Sequence, residues 1–324
     1  MPSLPDFKVS PSVQPRPEDY GYDLEKAFAS VMGLHAVIPN DAFTAETLGT
    51  ERAGNAVLIR ENGVVLTIGY LITEAETIWL HLNDGRVVPG HVLGYDQASG
   101  FGMVQALAKL DLPALPLGDS TMIPLDEKVV IAGAGGRQRS VAARVVGKQE
   151  FAGYWEYVLD EAIFTLPAHP QWGGAALIGA DGRLLGVGSL LVEEKMQGET
   201  AQGNMIVPVD LLDPILDNLL RTGSTGRSPR PWLGMYTTEV EHHLVVAGLA
   251  ERGPGAVAGL QIGDMVLEVA GHPVSGLAGL FRSIWQLGDA GVDVPLVVTR
   301  KGEKLRFTVH SRDRADFLKK RSLH

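Results

Sequence analysis

Nucleophilic or acid–base chemistry needs a hydroxyl, thiol or carboxylate held beside a base, and this chain offers few residues that could supply it. It has no cysteine among 324 residues, which excludes thiolate nucleophiles, disulfides and thiolate metal sites. His81, His91 and His169 have no partner at ligand spacing. His242 and His243 are adjacent, so on a strand their side chains point to opposite faces, and no metal is implied. Gly133-Ala134-Gly135-Gly136 follows an apolar run as a phosphate loop would. No Gly-Lys-Ser/Thr follows it, however, and the next run, 140–146, reads as a strand rather than a helix. A hairpin loop accounts for it better, and no cofactor is expected.

Whatever chemistry remains must be positioned by the surrounding elements. Hydrophobic residues make up 45% of the chain and charged residues 20%, which fits a folded protein long enough for two domains. The 39 glycines and 19 prolines indicate many tight turns, as in all-β architectures. A net charge of −10 removes any general attraction to nucleic acid or an anionic membrane surface. No apolar run approaches the roughly 18 residues of a membrane span, and no signal-like apolar core stands at the N-terminus. The chain as written is therefore expected in the cytoplasm, or in the periplasm if a leader has been removed.

Residues 1–22, with Pro2, Pro5, Pro11, Pro15 and Pro17, read as a flexible proline-rich arm, followed by a helical pattern over 22–32. Short β-rich runs then alternate with turn signals: 55–59, Asn62-Gly63, 64–67, 77–82, Asp84-Gly85 and 86–93. The rhythm resumes at 128–132, 140–146, 154–159, and at 175–178 and 184–189 around Asp181-Gly182. A helix is expected over 209–220, with Asp210 near its start and Gly223 past its end. Residues 221–230 lack periodicity and read as a linker. A second domain, 231–312, has β runs at 244–247, 296–299 and 305–309 and an amphipathic helix at 277–287, and 313–324 reads as a basic, solvated tail.

Several stretches, in order, carry a family resemblance: Gly54-Asn55-Ala56-Val57, Gly63-Val64-Val65-Leu66-Thr67, Leu82-Asn83-Asp84-Gly85-Arg86, Leu117-Gly118-Asp119-Ser120, Gly173-Gly174-Ala175-Ala176-Leu177 and Ile206-Val207-Pro208. Over roughly 31–309 the chain resembles the HtrA/Deg family of trypsin-like serine proteases that carry a PDZ domain. The resemblance implies a mainly β fold, a chymotrypsin/trypsin-like double β-barrel over 23–220 with a peptide cleft between the barrels, then a C-terminal PDZ domain over 231–312. It also implies trimer formation, a homo-oligomeric state that the proline-rich arm does not favour.

The same alignment shows substitutions at each catalytic position. Tyr70 stands where the family has its histidine, and a phenol titrating near about 10 is no base at neutral pH. Gly100 replaces the orienting aspartate and Trp172 the nucleophilic serine. Pro170 occupies the position whose backbone N–H would complete the oxyanion hole, and proline has none. Only His169 and Ser140 suggest a relocated pair. In the second domain, Trp232-Leu233-Gly234-Met235 matches the carboxylate-binding loop of a PDZ module. Leu233, Gly234 and Met235 are accordingly expected to hold a peptide terminus, with Leu280 and Ile284 walling the pocket. The expectation is a non-catalytic pseudoprotease that binds peptides or unfolded protein segments, or regulates a partner. The alternatives are an active serine endopeptidase whose site lies in a different register, and an assembly scaffold.

Overall fold

A computed structural model describes residues 7–196 and 199–319. The chain falls into two compact units: Met1–Gln149, Glu161–Gly226 and Lys319–His324 form the first, and Arg227–Leu318 together with Glu150–Asp160 form the second.

The first unit opens on an ordered segment. Val9 is buried, its N–H donates to Gln138 O at 2.9 Å, and Phe7 and Val13 pack on the same apolar cluster as Val129, Ile131 and Val141. The described part of the expected flexible arm is therefore part of a core, because its few apolar side chains find a barrel wall to cover. Helix α1 (Leu24–Ala29) is capped by Asp23, whose carboxylate accepts from the Lys26 N–H at 3.1 Å. The sequence pattern over 22–32 extends this helix too far, since strand β1 (Val31–Val37) begins two residues after it and is buried on both faces, which removes the alternation that marks a strand.

The first barrel is made of β1, β2 (Glu51–Arg60), β3 (Val64–Ile68), β4 (Thr77–His81), β5 (Val87–Tyr95) and β6 (Phe101–Ala106). It closes in the order β1-β2-β3-β6-β5-β4, with Gly33 of β1 facing Asn55 on one side and His81 on the other. Two short helices, α2 (Ala45–Leu48) and α3 (Gly69–Ile72), interrupt it. The second barrel comprises β7 (Lys128–Ala132), β8 (Ser140–Gly153), β9 (Tyr157–Leu166), β10 (Ala176–Ile178), β11 (Leu184–Met196) and β12 (Glu199–Pro208), closed as β10-β11-β12-β9-β8-β7. Closure leaves neither sheet an unpaired edge. Helix α4 (Asp213–Thr222) ends at Gly223, whose φ of 72° and N–H bond to Leu219 O make a left-handed cap.

The second unit is an open antiparallel sheet of β13 (Met235–Val240), β14 (His243–Leu249), β15 (Met265–Val269), β17 (Asp293–Arg300) and β18 (Glu303–His310), with the short β16 (His272–Pro273) beside β15. Helices α5 (Pro254–Val257) and α6 (Leu277–Trp285) complete it. Helix α6 buries Ala278, Leu280, Phe281 and Ile284 into one cluster with Leu233, Met235, Val246 and Val298. The start of the expected solvated tail is folded: residues 314–317 form a helical turn, the Phe317 ring lies 4.8 Å from that of Trp232, and Arg312 stacks over Phe317. Residues 320–324 of the tail lie outside the described residues.

Candidate functional site

The first barrel delivers Tyr70 on α3, directly after β3. Gly69 starts that turn, its N–H donating to Gly100 O at 2.6 Å. Arg52, 4% exposed, fastens the turn from below, donating to Tyr70 O, Thr73 O, Gly49 O and to both the carbonyl and hydroxyl of Thr44. Burial pulls the Arg52 guanidinium down to about 10, with the nearby Glu74 charge opposing. Tyr70 directs its hydroxyl to Ser189 O at 2.9 Å. Burial pushes its phenol well above the ordinary range, and a hydrogen bond from the Trp172 side chain opposes that shift only in part.

Tyr70 and Trp172, which the resemblance places at the base and nucleophile positions, are thus in contact. Gly100, expected at the orienter position, sits in a left-handed turn with φ of 85°, its N–H bonded to Asp96 O at 2.8 Å. The Asp96 carboxylate is spent locally on the N–H groups of Ala98 and Ser99.

The loop carrying Trp172 is held by Asn55, which uses every polar atom it has. Its Nδ2 donates to Gln171 O at 2.8 Å and Gly173 O at 3.2 Å, its backbone N–H also reaches Gly173 O, its Oδ1 accepts from the Ala134 N–H, and its carbonyl accepts from the Thr67 hydroxyl. The approach is so close that a Cβ on Gly174, where φ is 76°, would stand 1.8 Å from Asn55 O. Motif matching includes Asn55 in Gly54-Asn55-Ala56-Val57 but gives it no role; the available signal is an amide side chain directly before the apolar stretch 56–59 of β2. In the same loop Pro170 offers no N–H, and the Gln171 N–H turns inward to His169 Nδ1 at 3.1 Å.

His169 and Ser140 do not pair. His169 is fully buried, with Nε2 at 2.7 Å from Arg139 O and Nδ1 accepting from Gln171, so both ring nitrogens are engaged and burial lowers its pKa. The Ser140 hydroxyl donates to Gly136 O. What remains is a small cleft of about 260 Å³ lined by Ala53, Gly54, Tyr70, Leu71, Pro170, Gln171, Trp172 and Gly173. Its lining presents aromatic rings, aliphatic carbons and amides.

In the second unit, the 232–235 loop enters β13 through Gly234, where φ is 65°. Leu233, Met235, Leu280 and Ile284, expected at the peptide pocket, are all buried in one apolar cluster. The N–H groups of Leu233 and Met235 converge on a carboxylate, that of Glu156, at 3.1–3.2 Å, and the Gly234 N–H contributes as well. Sequence reasoning missed Glu156, reading 154–159 as a continuous strand.

Residues 54–187 match the model of the trypsin-like peptidase domain and residues 231–310 that of the PDZ domain. A curated relative from Halomonas elongata, a probable periplasmic serine endoprotease DegP-like, is 28% identical over 79% of this chain; the match spans 55% of its length, so this chain corresponds to about half of that protein. The serine endoprotease DegS of Salmonella typhimurium is 24% identical over 95% of this chain and 91% of its own length. Among solved structures, the HtrA-type protease AlgW with decapeptide shares the fold at a TM-score of 0.54 and 20% identity, covering 90% of this chain and 97% of that one.

Proposed function

Given that the chain belongs to the HtrA/Deg family of PDZ-containing, trypsin-like serine proteases, we propose that it is a member that binds peptide or unfolded protein without cutting it. The observation that carries this reading is the Tyr70–Trp172 contact. An indole and a phenol that burial keeps protonated fill the places of nucleophile and base, and each is engaged with the other or with a carbonyl. Attack on an amide needs a nucleophile, a proton acceptor and donors aimed at the developing oxyanion. Here no hydroxyl faces an imidazole among the described residues of the cleft, and Pro170 lacks the N–H of one oxyanion donor. Losing one oxyanion donor alone costs about 10²–10³ in rate.

The peptide-binding half of the proposal is supported by the 233–235 amides, already arranged around a carboxylate above an apolar pocket. Solved relatives are described as HtrA-type protease AlgW with a tripeptide and with a decapeptide. The DegP-like relatives are named periplasmic, which favours the periplasm over the cytoplasm for this chain as well. No helix among the described residues is long and apolar enough to cross a membrane.

A second reading, an active serine endopeptidase, is favoured by the names of the relatives, which are serine endoproteases. Incubation with unfolded casein and with a serine-directed fluorophosphonate separates the two. The binding protein leaves casein intact and takes up no label, whereas turnover with a labelled serine establishes the enzyme.

A further inference from the structure

The groove of the second unit is filled by the chain itself. Residues 150–160, the tip of the β8–β9 hairpin, belong to that unit, and their placement follows the rules by which an external peptide would be captured. The Glu156 carboxylate lies among the N–H groups of Leu233, Gly234 and Met235, the donors of the expected carboxylate loop. Two residues back along the tip, Tyr154 O accepts from the Thr237 N–H at 3.1 Å. The tip thus recedes from 156 to 154 as β13 advances from 235 to 237. This is the antiparallel polarity of a strand added to a sheet edge by its C-terminal end. Val158 belongs to the same buried apolar cluster as Leu233, Met235, Leu280 and Ile284.

The tip is also shaped in advance. Glu156 holds a φ of 61°, a conformation that side-chain-bearing residues rarely adopt and that persists where its surroundings fix it. The Trp155 ring stacks on Tyr157 at 5.6 Å, and Tyr154 meets Tyr236 of β13 edge-on at 6.2 Å. On α6, Arg282 bonds to Glu150 on one arm of the hairpin and Asp160 on the other.

We infer that the 154–156 tip is a built-in ligand of the PDZ-type groove, with Glu156 standing in for the terminal carboxylate of a peptide, so that an outside C-terminus binds only by displacing it. The inference rests on the peptide-binding reading of the groove and adds that this site is gated from within. A tethered ligand competes as though present at high concentration, and the affinity of an outside peptide falls by the fraction of time the groove stands open.

The test uses the full-length protein, Glu156→Ala, and Glu156→Gln as a variant that keeps the size of the side chain. The probe is a library of hexapeptides randomised at their last four positions, each made with a free carboxylate and with an amide terminus. Backbone amide exchange at Leu233, Met235 and Thr237 is followed in parallel at one fixed pH. The expected result is that free-carboxylate peptides bind Glu156→Ala about tenfold or more tightly than the parent, and Glu156→Gln with an intermediate gain. Amidated peptides bind neither, and the Leu233 and Met235 amides lose protection in the variants. In the parent, excess library shifts the resonances of those same amides as the tip leaves.

Equal peptide affinity in parent and variants, or unchanged amide protection, overturns the gate. Lost protection with no peptide bound to any form overturns the groove as a peptide site and leaves Glu156 a structural plug. Peptides that bind with a free or an amidated end alike overturn the carboxylate mimicry while leaving peptide binding in place.

Discussion

Tyr70 and Trp172 meet in the wall of the cleft, and under the proposed reading they stand where a base and a nucleophile would. The phenol spans the distance to Ser189 O that a base would have left open for substrate, and the indole turns its polar edge to the phenol. Tyr70→Phe removes two hydrogen bonds, leaving the Ser189 carbonyl and the Trp172 N–H without the phenol, a loss of about 1–2 kcal/mol that a shift of the denaturant midpoint reads directly. Asn55→Ala is more severe: Gln171 O, Gly173 O and the Ala134 N–H all lose the same side chain, which predicts roughly 2–3 kcal/mol. On the proposed reading, restoring side chains alone is not expected to produce a protease. In the triple variant Tyr70→His, Gly100→Asp, Trp172→Ser, the new aspartate inherits a φ of 85°, which strains any residue with a Cβ, and Pro170 still supplies no N–H. Casein incubated with that variant is expected to stay intact; cleavage above the parent's background would show that the 170–173 loop can recover an oxyanion hole.

The β8–β9 hairpin carries the titration that bears on the groove. Burial lifts the Glu156 carboxyl up to about 7, against the opposing N–H groups of Met235, Leu233 and Gly234 and the charge of Arg314. Its ordinary value is 4.5, so between those two values the docked state holds more protons than the released one. The tip is therefore most stable below pH 4.5 and loses stability as pH rises through 7. Exchange at Leu233 and Met235, corrected for intrinsic rates, should quicken across that window in the parent and lose this dependence in Glu156→Gln. The same hairpin marks where sequence reading stops. Strands bounded by Asn-Gly and Asp-Gly turns were legible, and 128–132 was placed to the residue, because period and turn chemistry are local properties. The strand β1 was not, since burial on both faces erases alternation. The turn at 154–156 was not either: its aromatic residues have strand propensity, and only contacts with residues far along the chain force Glu156 to a positive φ. The expectations at Tyr70, Gly100, Pro170 and Trp172 come from family motifs, whereas the roles of Asn55 and Glu156 are purely tertiary and carry no such local signal.

Two units with separate cores should also melt separately. The second unit holds a buried carboxylate paired with an arginine: Asp264, with no exposed surface, accepts from Arg300 Nε at 2.6 Å and Nη2 at 2.7 Å and from the Gln261 N–H at 2.9 Å. Burial alone would raise the Asp264 carboxyl, yet the Arg300 and Gln261 hydrogen bonds together hold it below the usual carboxylate range, so it stays charged and paired. In the first unit the comparable tie is Arg52, whose five donated bonds fix the turn that carries Tyr70. Breaking a buried, hydrogen-bonded charge site by removing one partner leaves the others unsatisfied, at a cost of about 3 kcal/mol for Arg52→Met. Differential scanning calorimetry of the full chain is then expected to resolve two transitions. Asp264→Ala should lower one of them by several degrees and leave the other in place, and Arg52→Met should do the reverse. A single transition displaced equally by both substitutions would mean that the two cores unfold as one cooperative body, and the groove of the second unit could then not open without loosening the barrels.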